Sequence, residues 1–380
     1  MPKRELKRDQ ELNRASIDGR RIDVLRGELL RWYSGNRRDL PWRRTHDPYA
    51  IWVSEIMLQQ TRVAVVVERY QAFLARFPTL ASLALAQVED VLAMWSGLGY
   101  YRRARMLHKA VQFVMERFEG NMPNTAEELR LLPGIGGYTA AAIASIAHGE
   151  VVAVVDGNVE RVLCRLSGWE AVGREGGAVF GRKIETLAAQ LVDPVHPGDF
   201  NQAMMELGAT VCLPRNPQCL VCPLAADCKT RGEHKTQPRP QMQSREAAYA
   251  LCVRDARKPH GAPGLAGQQV LLEQRPASLT VMPGLWELPA LLDTNIPETK
   301  LRMTVRHAIM QVNYSVRIRD VAEHDVASLT VPGGERRWIP LSEAEGMALT
   351  GLTRKVLKRA AVLSTESEQA IVRQPTPALL

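Results

Sequence analysis

The chain has 380 residues, 46% of them hydrophobic and 24% charged, a composition typical of a globular protein large enough for two domains. Its formal net charge of +8 favours polyanionic partners such as nucleic acids, although many basic proteins bind none. The first 21 residues are charged and no apolar stretch reaches the ~20 residues of a membrane helix, so we expect neither a secretory signal nor a membrane partner.

The first half of the chain has helical periodicity. After a basic extension at residues 1–21, which we expect to be disordered, apolar residues recur at spacings of three and four from Ile22 to Ala147. Asp47 followed by Pro48 predicts a helix start, because Asp caps helices and Pro suits their first turn. The run Val151–Val155 has strand propensity and is the one local exception to an all-helical pattern.

One carboxylate lies in an otherwise apolar helical segment. In AIWVSEIMLQQTRV, Glu55 shares a stripe with Ile51, Gln59 and Arg62 at spacings of four, four and three. A glutamate in this setting is either a salt-bridged core residue or an acid whose pKa is raised by burial. The residue types leave both interpretations open.

A glycine-rich turn follows in LLPGIGGYTAAAIAS, residues 131–145. We expect Gly134 and Gly136 to permit positive φ and close backbone approach, and a new helix to open at Gly137 and Tyr138. Free amides at a helix N-terminus bind anions. The turn is therefore either a hairpin that holds a phosphate or an ordinary connection between helices.

A second carboxylate, Asp156, follows the apolar run in VVAVVDGNVERVL and directly precedes a glycine. From residue types alone this position favours a turn former or a helix cap. A catalytic role needs support from elsewhere.

Four of the six cysteines crowd one segment, CLPRNPQCLVCPLAADC, with the spacing C-x6-C-x2-C-x5-C. Without an export signal we expect reduced thiols, so a metal centre is a better hypothesis than a disulfide framework. Four thiolates suit either a zinc ion or an iron–sulfur cluster. The ligands in either case are Cys212, Cys219, Cys222 and Cys228.

The composition changes after the cysteine segment. Residues 231–246 are polar and contain proline, which predicts a linker between a helical domain at residues 22–230 and a second domain at residues 247–362. In the second domain AYALCVRD, QVLLEQR and NYSVRIRD alternate as strands do, and helical patterns follow at Ser342–Ala348 and Leu352–Ala361. We expect an α+β domain, followed by a disordered tail at residues 363–380.

From about Leu40 to Cys228 the chain resembles the MutY type of adenine DNA glycosylase, in the endonuclease III superfamily. The segments that match, in order, are LPWR, DPYAIWVSEIMLQQT, GLGYYRRAR, LPGIGGYTAAAI, VDGNVERVL, NQAMMELGA and the cysteine loop. The resemblance implies an all-helical, two-lobed helix-hairpin-helix domain with a [4Fe–4S] cluster on the four cysteines, and a short extended link at Val151–Val155. It also implies an enzyme that flips a mispaired adenine from duplex DNA and hydrolyses its glycosidic bond.

Site residues follow from this resemblance one by one. Glu55 is implied as the general acid that protonates adenine, and Asp156 as the carboxylate that stabilises the sugar cation. Asn158 and Tyr138 are implied to orient Asp156 and the water. The remaining implied contacts are the base pocket at Trp42, Arg43, Leu58 and Glu206, the wedge in the base stack at Gln60 and Tyr100, and the phosphate site at Gly134 and Gly136. Bifunctional relatives carry a lysine at the position of Tyr138; since a phenol cannot form a Schiff base, we expect a monofunctional enzyme.

The second domain contains MPGLWELP, Met282–Pro289, which resembles a Nudix-like domain but lacks the glutamate-rich helix that a Nudix hydrolase needs. In the family this domain senses 8-oxoguanine through a Phe-Ser-His loop. Here the aligned residues are Ile309, Met310 and Gln311, a departure that predicts weaker recognition of 8-oxoguanine.

Three alternatives remain beside this interpretation. A bifunctional pyrimidine glycosylase disagrees with Tyr138 and with the second domain, and a non-catalytic binder of damaged DNA disagrees with the presence of both Glu55 and Asp156. A structural zinc module would be distinguished by its absorption spectrum. We expect a monomer, cytoplasmic or nucleoid-associated, that binds duplex DNA containing an adenine mispair.

Overall fold

A computed structural model describes residues 19–169, 177–234, 241–255, 267–329 and 335–362. Most of the predicted N-terminal extension and all of the predicted tail lie outside these residues. The chain divides into two compact units, the first within Met1–Gln59 and Lys109–Pro238 and the second within Gln60–His108 and Arg239–Leu380. None of the helices in the described residues is long and apolar enough to span a membrane.

The first unit is helical. Its helices are α1 (Gly19–Asn36), α2 (Pro48–Leu58), α7 (Ala126–Leu129), α8 (Gly137–His148), α9 (Gly157–Ser167), α10 (Gly177–Leu191) and α11 (Pro197–Thr210). Since α1 begins at Gly19, it includes the last residues of the extension that we expected to be disordered. Helix α6 (Arg102–Arg117) crosses the division between the units.

Helix α2 is apolar on all sides, and every residue from Tyr49 to Met57 is buried. Its start is as predicted, since the side chain of Asp47 accepts a hydrogen bond from the amide of Tyr49 and Pro48 occupies the first turn. The stripe predicted to run from Ile51 to Arg62 extends beyond the helix. Helix α2 ends at Leu58, and Arg62 is the N-cap of the next helix. A second core forms where α1, α9, α10 and α11 pack together, and three of the clustered cysteines pack against it.

Residues 151–156 form neither helix nor strand, so the extended link implied by the resemblance is confirmed over the local strand propensity. The region is a connection between α8 and α9.

The second unit combines helices with two four-stranded sheets. Its helices are α3 (Val63–Arg76), α4 (Leu80–Ala84), α5 (Val88–Met94), the first part of α6, α12 (Leu341–Ala344) and α13 (Gly351–Arg359). Its strands are β1 (Gln243–Leu251), β2 (Val253–Asp255), β3 (Gln268–Gln274), β4 (Trp286–Glu287), β5 (Ala290–Leu291), β6 (Leu301–Ile309), β7 (Val312–Asp320) and β8 (Arg336–Pro340).

One sheet has the order β5-β1-β7-β6, with β1 and β7 parallel, and in the other β3 pairs with β2, β4 and β8. Strand β1 begins within the stretch predicted as a linker. An apolar core that includes Val305, Val316 and Val356 is formed by both sheets together with α13. The α+β class predicted for the C-terminal part is confirmed, whereas β5, β6 and β8 had no sequence prediction.

Candidate active site

The central feature of the first unit is a buried carboxyl group. Glu55 lies in the apolar helix α2 and is 5% exposed, and the hydroxyl of Tyr138 at the start of α8 donates a hydrogen bond to its Oε2 at 2.8 Å. Burial raises the pKa of Glu55 to about 7, partly opposed by the Tyr138 hydrogen bond and reinforced by the charge of Asp156. Burial and the Glu55 charge raise the pKa of Tyr138 well above 10, so the phenol keeps its proton. The pair can therefore hold and release a proton near neutral pH.

Asp156 is the N-cap of α9, as its residue type alone predicted. Its Oδ1 accepts a hydrogen bond from the amide of Val159 at 2.7 Å, and its Oδ2 accepts one from Nδ2 of Asn158 at 2.8 Å. Both oxygens are thereby held in place, and the carboxylate is close enough to Glu55 to influence its pKa. The cap geometry orients the charged group and does not conflict with a catalytic use of it.

A second buried carboxylate, Glu206 on α11, is paired with two arginines. Its oxygens accept hydrogen bonds from Nε and Nη2 of Arg38 at 2.8 and 2.7 Å and from Nη2 of Arg43 at 2.7 Å. Burial acts to raise the pKa of Glu206, but the arginine hydrogen bonds outweigh burial and bring the pKa to about 2. Trp42, beside Arg43 in the chain, is buried.

Arg161 connects the Asp156 region with the cysteine segment. Its Nε donates to the carbonyl of Cys212 at 2.8 Å, while its Nη2 donates to Oδ1 of Asn158 at 2.9 Å and to the carbonyl of Gly208 at 2.7 Å. Only glycine fits at position 208, because a Cβ there would lie 2.6 Å from the Cβ of Asn158. The guanidinium of Arg161 thus links the backbone of Cys212 to Asn158. The Asn158 side chain in turn donates to Asp156, the N-cap of α9.

The four clustered cysteines line one pocket, together with Arg165 and Arg231. In the described part of the chain, no three His, Cys, Asp or Glu side chains lie close enough together to hold a metal ion.

The buried side chain of Arg165 adjoins this pocket. It is 3% exposed, and its Nη1 lies 3.4 Å from Sγ of Cys212 while both Nη atoms donate to the carbonyls of Leu213 and Pro214. Among the described residues its buried Nε has no hydrogen-bond partner. Within the described residues no carboxylate pairs with this buried guanidinium, so the lining of the pocket suits an anionic group.

The structure corrects the prediction for the glycine-rich turn in one respect. Gly134 has φ +80°, as expected, but Gly136 has φ −93° and is the N-cap of α8 in extended conformation. Open space surrounds the Cβ position of Gly136, and no side chain caps α8. The amides at this helix start are therefore accessible for an anion.

The remaining predicted residues are placed as follows. Leu58 is half-buried at the end of α2, and Gln60 and Tyr100, both in the second unit, have the unusual φ values +55° and +46°. In the β6–β7 hairpin, Ile309 pairs with Val312, and Met310 and Gln311 form the two-residue turn. Met310 is 72% exposed with φ +54°. Three separate exposed turns thus carry the predicted wedge and lesion contacts.

Comparison with known proteins shows the family. The model of the HhH-GPD superfamily of base excision DNA repair proteins matches residues 53–176. The adenine DNA glycosylase of Homo sapiens is 37% identical over 414 aligned residues, which cover 89% of this chain and 74% of that protein. The chain belongs to the adenine DNA glycosylase family. The adenine DNA glycosylase of Arabidopsis thaliana is 39% identical over 70% of this chain and 47% of its own length.

Among solved structures, a thermostable thymine-DNA glycosylase has a TM-score of 0.51 and 28% identity, covering 56% of this chain and 97% of its own. Membership of the adenine DNA glycosylase family confirms the DNA glycosylase function and the family predicted from the sequence. The similarity to the human relative extends into the C-terminal part, because the alignment covers 89% of this chain.

Sequence reasoning about this adenine DNA glycosylase family member missed three arginines: Arg38, Arg161 and Arg165. A signal existed for two of them, since Arg161 and Arg165 are four residues apart on one amphipathic helix and must share one face. For Arg38 the sequence holds no local signal, because its partner Glu206 lies 168 residues away.

Proposed function

We propose that the chain is a monofunctional adenine glycosylase, which hydrolyses the N-glycosidic bond of adenine mispaired with 8-oxoguanine or guanine in duplex DNA. The observation that carries this proposal is the buried Glu55, whose pKa of about 7 leaves much of it protonated at neutral pH. A neutral carboxylic acid is what an adenine leaving group needs, because adenine leaves readily only when a ring nitrogen is protonated.

In the proposed reaction Glu55 donates its proton to the N7 atom of adenine, the nitrogen that the family resemblance implies. The bond between the sugar carbon and adenine then breaks, and its electron pair leaves with the base. Asp156, held by Asn158 and by the amide of Val159, stabilises the positive charge on the sugar until water adds to it and gives up a proton to the ionised Glu55. Tyr138 keeps Glu55 oriented through its 2.8 Å hydrogen bond.

The adenine pocket is proposed at Trp42, Arg43, Leu58 and Glu206. Glu206 stays ionised because Arg38 and Arg43 hold it, so it accepts hydrogen bonds and suits the exocyclic amino group of adenine. The apolar surfaces of Trp42 and Leu58 suit the faces of a purine ring. These features support adenine over a pyrimidine as the excised base.

Contact with the DNA backbone is proposed at the start of α8. The uncapped amides after Gly134 and Gly136 offer hydrogen bonds to a phosphate at the positive end of a helix. Gln60 and Tyr100 are proposed to enter the base stack where adenine leaves it, which offsets the cost of flipping.

A [4Fe–4S] cluster is proposed on Cys212, Cys219, Cys222 and Cys228. Three observations support it: the four-thiol donor set, its resemblance to the family loop, and the buried cation of Arg165, which suits a cluster whose thiolate ligands make it anionic. The group would tie the cysteine segment to the core of the first unit and supply no chemistry to the adenine. About four irons per chain and a broad absorption near ~400 nm would support it, and zinc after anaerobic purification would contradict it.

The proposed division of labour places catalysis in residues 22–230 and lesion recognition in a Nudix-like domain at residues 247–362. The β6–β7 turn carries Met310 and Gln311 where the family has serine and histidine, so the amide of Gln311 is the remaining hydrogen-bonding side chain there. We propose that adenine opposite 8-oxoguanine is still preferred, with a narrower margin than in relatives with Phe-Ser-His.

One experiment tests this function directly. Single-turnover adenine release is measured on matched duplexes with adenine opposite 8-oxoguanine, guanine, cytosine and thymine, with borohydride added in parallel reactions. We expect release from the first two duplexes and no trapped protein–DNA complex, because Tyr138 offers no amine. Release of a pyrimidine instead, or efficient trapping, would overturn the proposal.

A further inference from the structure

The loop between α5 and α6 holds Tyr100 in a conformation that a tyrosine rarely adopts. Tyr100 has φ +46° and is 49% exposed, which makes it a strained aromatic residue on the surface. Such a conformation persists only where the surrounding structure fixes it. The contacts that fix this loop therefore determine how the Tyr100 ring is presented.

Some of these contacts are local. Nη2 of Arg103 donates to the carbonyls of Leu98 and Gly99 and to Oγ1 of Thr61, all between 3.1 and 3.2 Å. The guanidinium also lies 5.4 Å from the centre of the Tyr100 ring. Because Thr61 follows Gln60, this one side chain steadies both segments that carry the proposed wedge residues.

Two other contacts reach the C-terminal part of the same unit. The next residue, Tyr101, is 4% exposed, and its hydroxyl donates to the carbonyl of Leu349 at 3.1 Å. One helical turn later, Nη2 of Arg105 donates to the carbonyl of Pro283 at 2.9 Å. Both donors lie at the start of α6, on either side of Arg103.

The two acceptors belong to one paired strip of backbone, made of residues 283–286 and 348–350. Trp286 bridges to Leu349, its amide donates to the carbonyl of Ala348 at 3.0 Å, and its carbonyl accepts from the amide of Thr350 at 2.9 Å. Gly284 has φ +71°, and a Cβ there would lie 2.9 Å from Nη2 of Arg105. This gives a physical role to the MPGLWELP segment, which the proposed chemistry does not use.

We propose that Tyr101 and Arg105 are positioning residues, which anchor the loop at residues 97–101 to this strip and so set how Tyr100 enters the base stack. The inference rests on the proposed function, in which Tyr100 is a wedge. Its consequence is that the C-terminal α+β part assists base flipping through the helix α6 as well as through its own contacts with DNA.

The test compares Tyr101→Phe in two backgrounds, the wild-type chain and Tyr100→Ala. Single-turnover adenine release is measured on whichever mispair the wild type processes fastest. We expect Tyr101→Phe to slow release about 5- to 20-fold in the wild-type background and less than twofold in the Tyr100→Ala background, since the anchor acts only through Tyr100. Equal slowing in both backgrounds, or no slowing in the wild type, would overturn the inference.

A second readout separates positioning from a structural role. A 2-aminopurine placed beside the mispair fluoresces when it unstacks, so its signal at saturating protein reports entry of the wedge. Tyr101→Phe and Arg105→Met should each reduce this signal, whereas Tyr249→Phe, which removes a half-buried hydroxyl from β1, should not. An unchanged signal with slowed release would contradict the inference, as would a reduced signal caused equally by Tyr249→Phe.

The outcome also separates the two proposals. If the wild type releases no adenine from any mispair, the proposed function fails and the inference falls with it. If the wild type is active and Tyr101→Phe is neutral in release and fluorescence, only the positioning role fails.

Discussion

Two regions of the first unit each bury one glutamate, and they treat its proton in opposite ways. Glu55 is 5% exposed and Glu206 is 1% exposed, so both carboxyl groups have lost most of their hydration. Yet the pKa of Glu55 is raised to about 7 and that of Glu206 is lowered to about 2.

The difference lies in the partners. Around Glu206 two guanidiniums donate charged hydrogen bonds, and together they outweigh the cost of burial. Around Glu55 the neighbours are a neutral phenol and the like charge of Asp156, and the charge of Arg43 has the smallest effect, so burial prevails. Burial fixes only the direction of the desolvation effect, and the contacting charges decide which form is stable.

The largest effect is expected from Glu55→Gln. If the raised pKa serves proton donation, the amide should bind the mispair and release no measurable adenine, a loss of at least ~10³-fold. Binding by fluorescence anisotropy and release under single-turnover conditions would check this. Glu206→Gln is the matched control: it removes a buried carboxylate that donates no proton, and it should retain more activity than Glu55→Gln. Near wild-type release by Glu55→Gln would refute the acid role.

How much of this contrast the sequence could predict depends on how local each cause is. The apolar surroundings of Glu55 are visible in AIWVSEIML, and the Asp47 cap and the Asp156 cap are visible in neighbouring residues. The partners of Glu206 are not, because Arg38 is 168 residues away in sequence and its segment is polar. Only the packing of α11 against the first residues after α1 brings them together.

The same distinction applies in the second unit. Strand β6 was not predicted because LRMTVRHAI carries arginines on its exposed face. Its pairing with β7 stabilises the strand, although its own composition gives a weak strand signal. The contact of Tyr101 with Leu349 spans 248 residues and has no local signal. At Gly136 the expectation of positive φ was wrong because an extended N-cap meets the geometric need of the turn without it.

A second effect, of about 3 kcal/mol, concerns the pH dependence of stability. A carboxyl whose folded pKa is raised binds its proton more tightly when folded, so the wild type loses stability as pH rises from about 4.5 through about 7. Glu55→Gln has no charge to bury and lacks this loss. Urea unfolding of both proteins between pH 5 and pH 8 should show their difference growing with pH; a constant difference would contradict the raised pKa.

Glu206→Gln should lower the free energy of unfolding by about 2 kcal/mol at neutral pH, since it leaves Arg43 and Arg38 without their carboxylate. The value is below that of a fully buried pair because Arg38 is 40% exposed. The pH dependence of stability is opposite to that from Glu55. The stabilising contribution of Glu206 is complete above about pH 4.5 and is lost as the pH falls toward about 2. Urea titrations at pH 7 and pH 4 would measure both the size and its decline.

The smallest effect is expected from Tyr138→Phe, and it isolates one cause within the Glu55 region. The hydrogen bond from the Tyr138 hydroxyl stabilises the ionised form of Glu55, so its removal should raise the pKa further. Adenine release that depends on protonated Glu55 falls about tenfold per pH unit above that pKa, and the midpoint should therefore move to higher pH by up to about one unit. Asp156 and Arg43 still face the carboxyl in the variant, so their influence on the midpoint is unchanged.

Tyr33→Phe is the matched control, because it removes a buried hydroxyl that has no hydrogen-bond partner among the described residues and does not contact Glu55. A midpoint that moves to lower pH, or that moves equally in Tyr33→Phe, would show that the phenol influences Glu55 by a route other than this hydrogen bond.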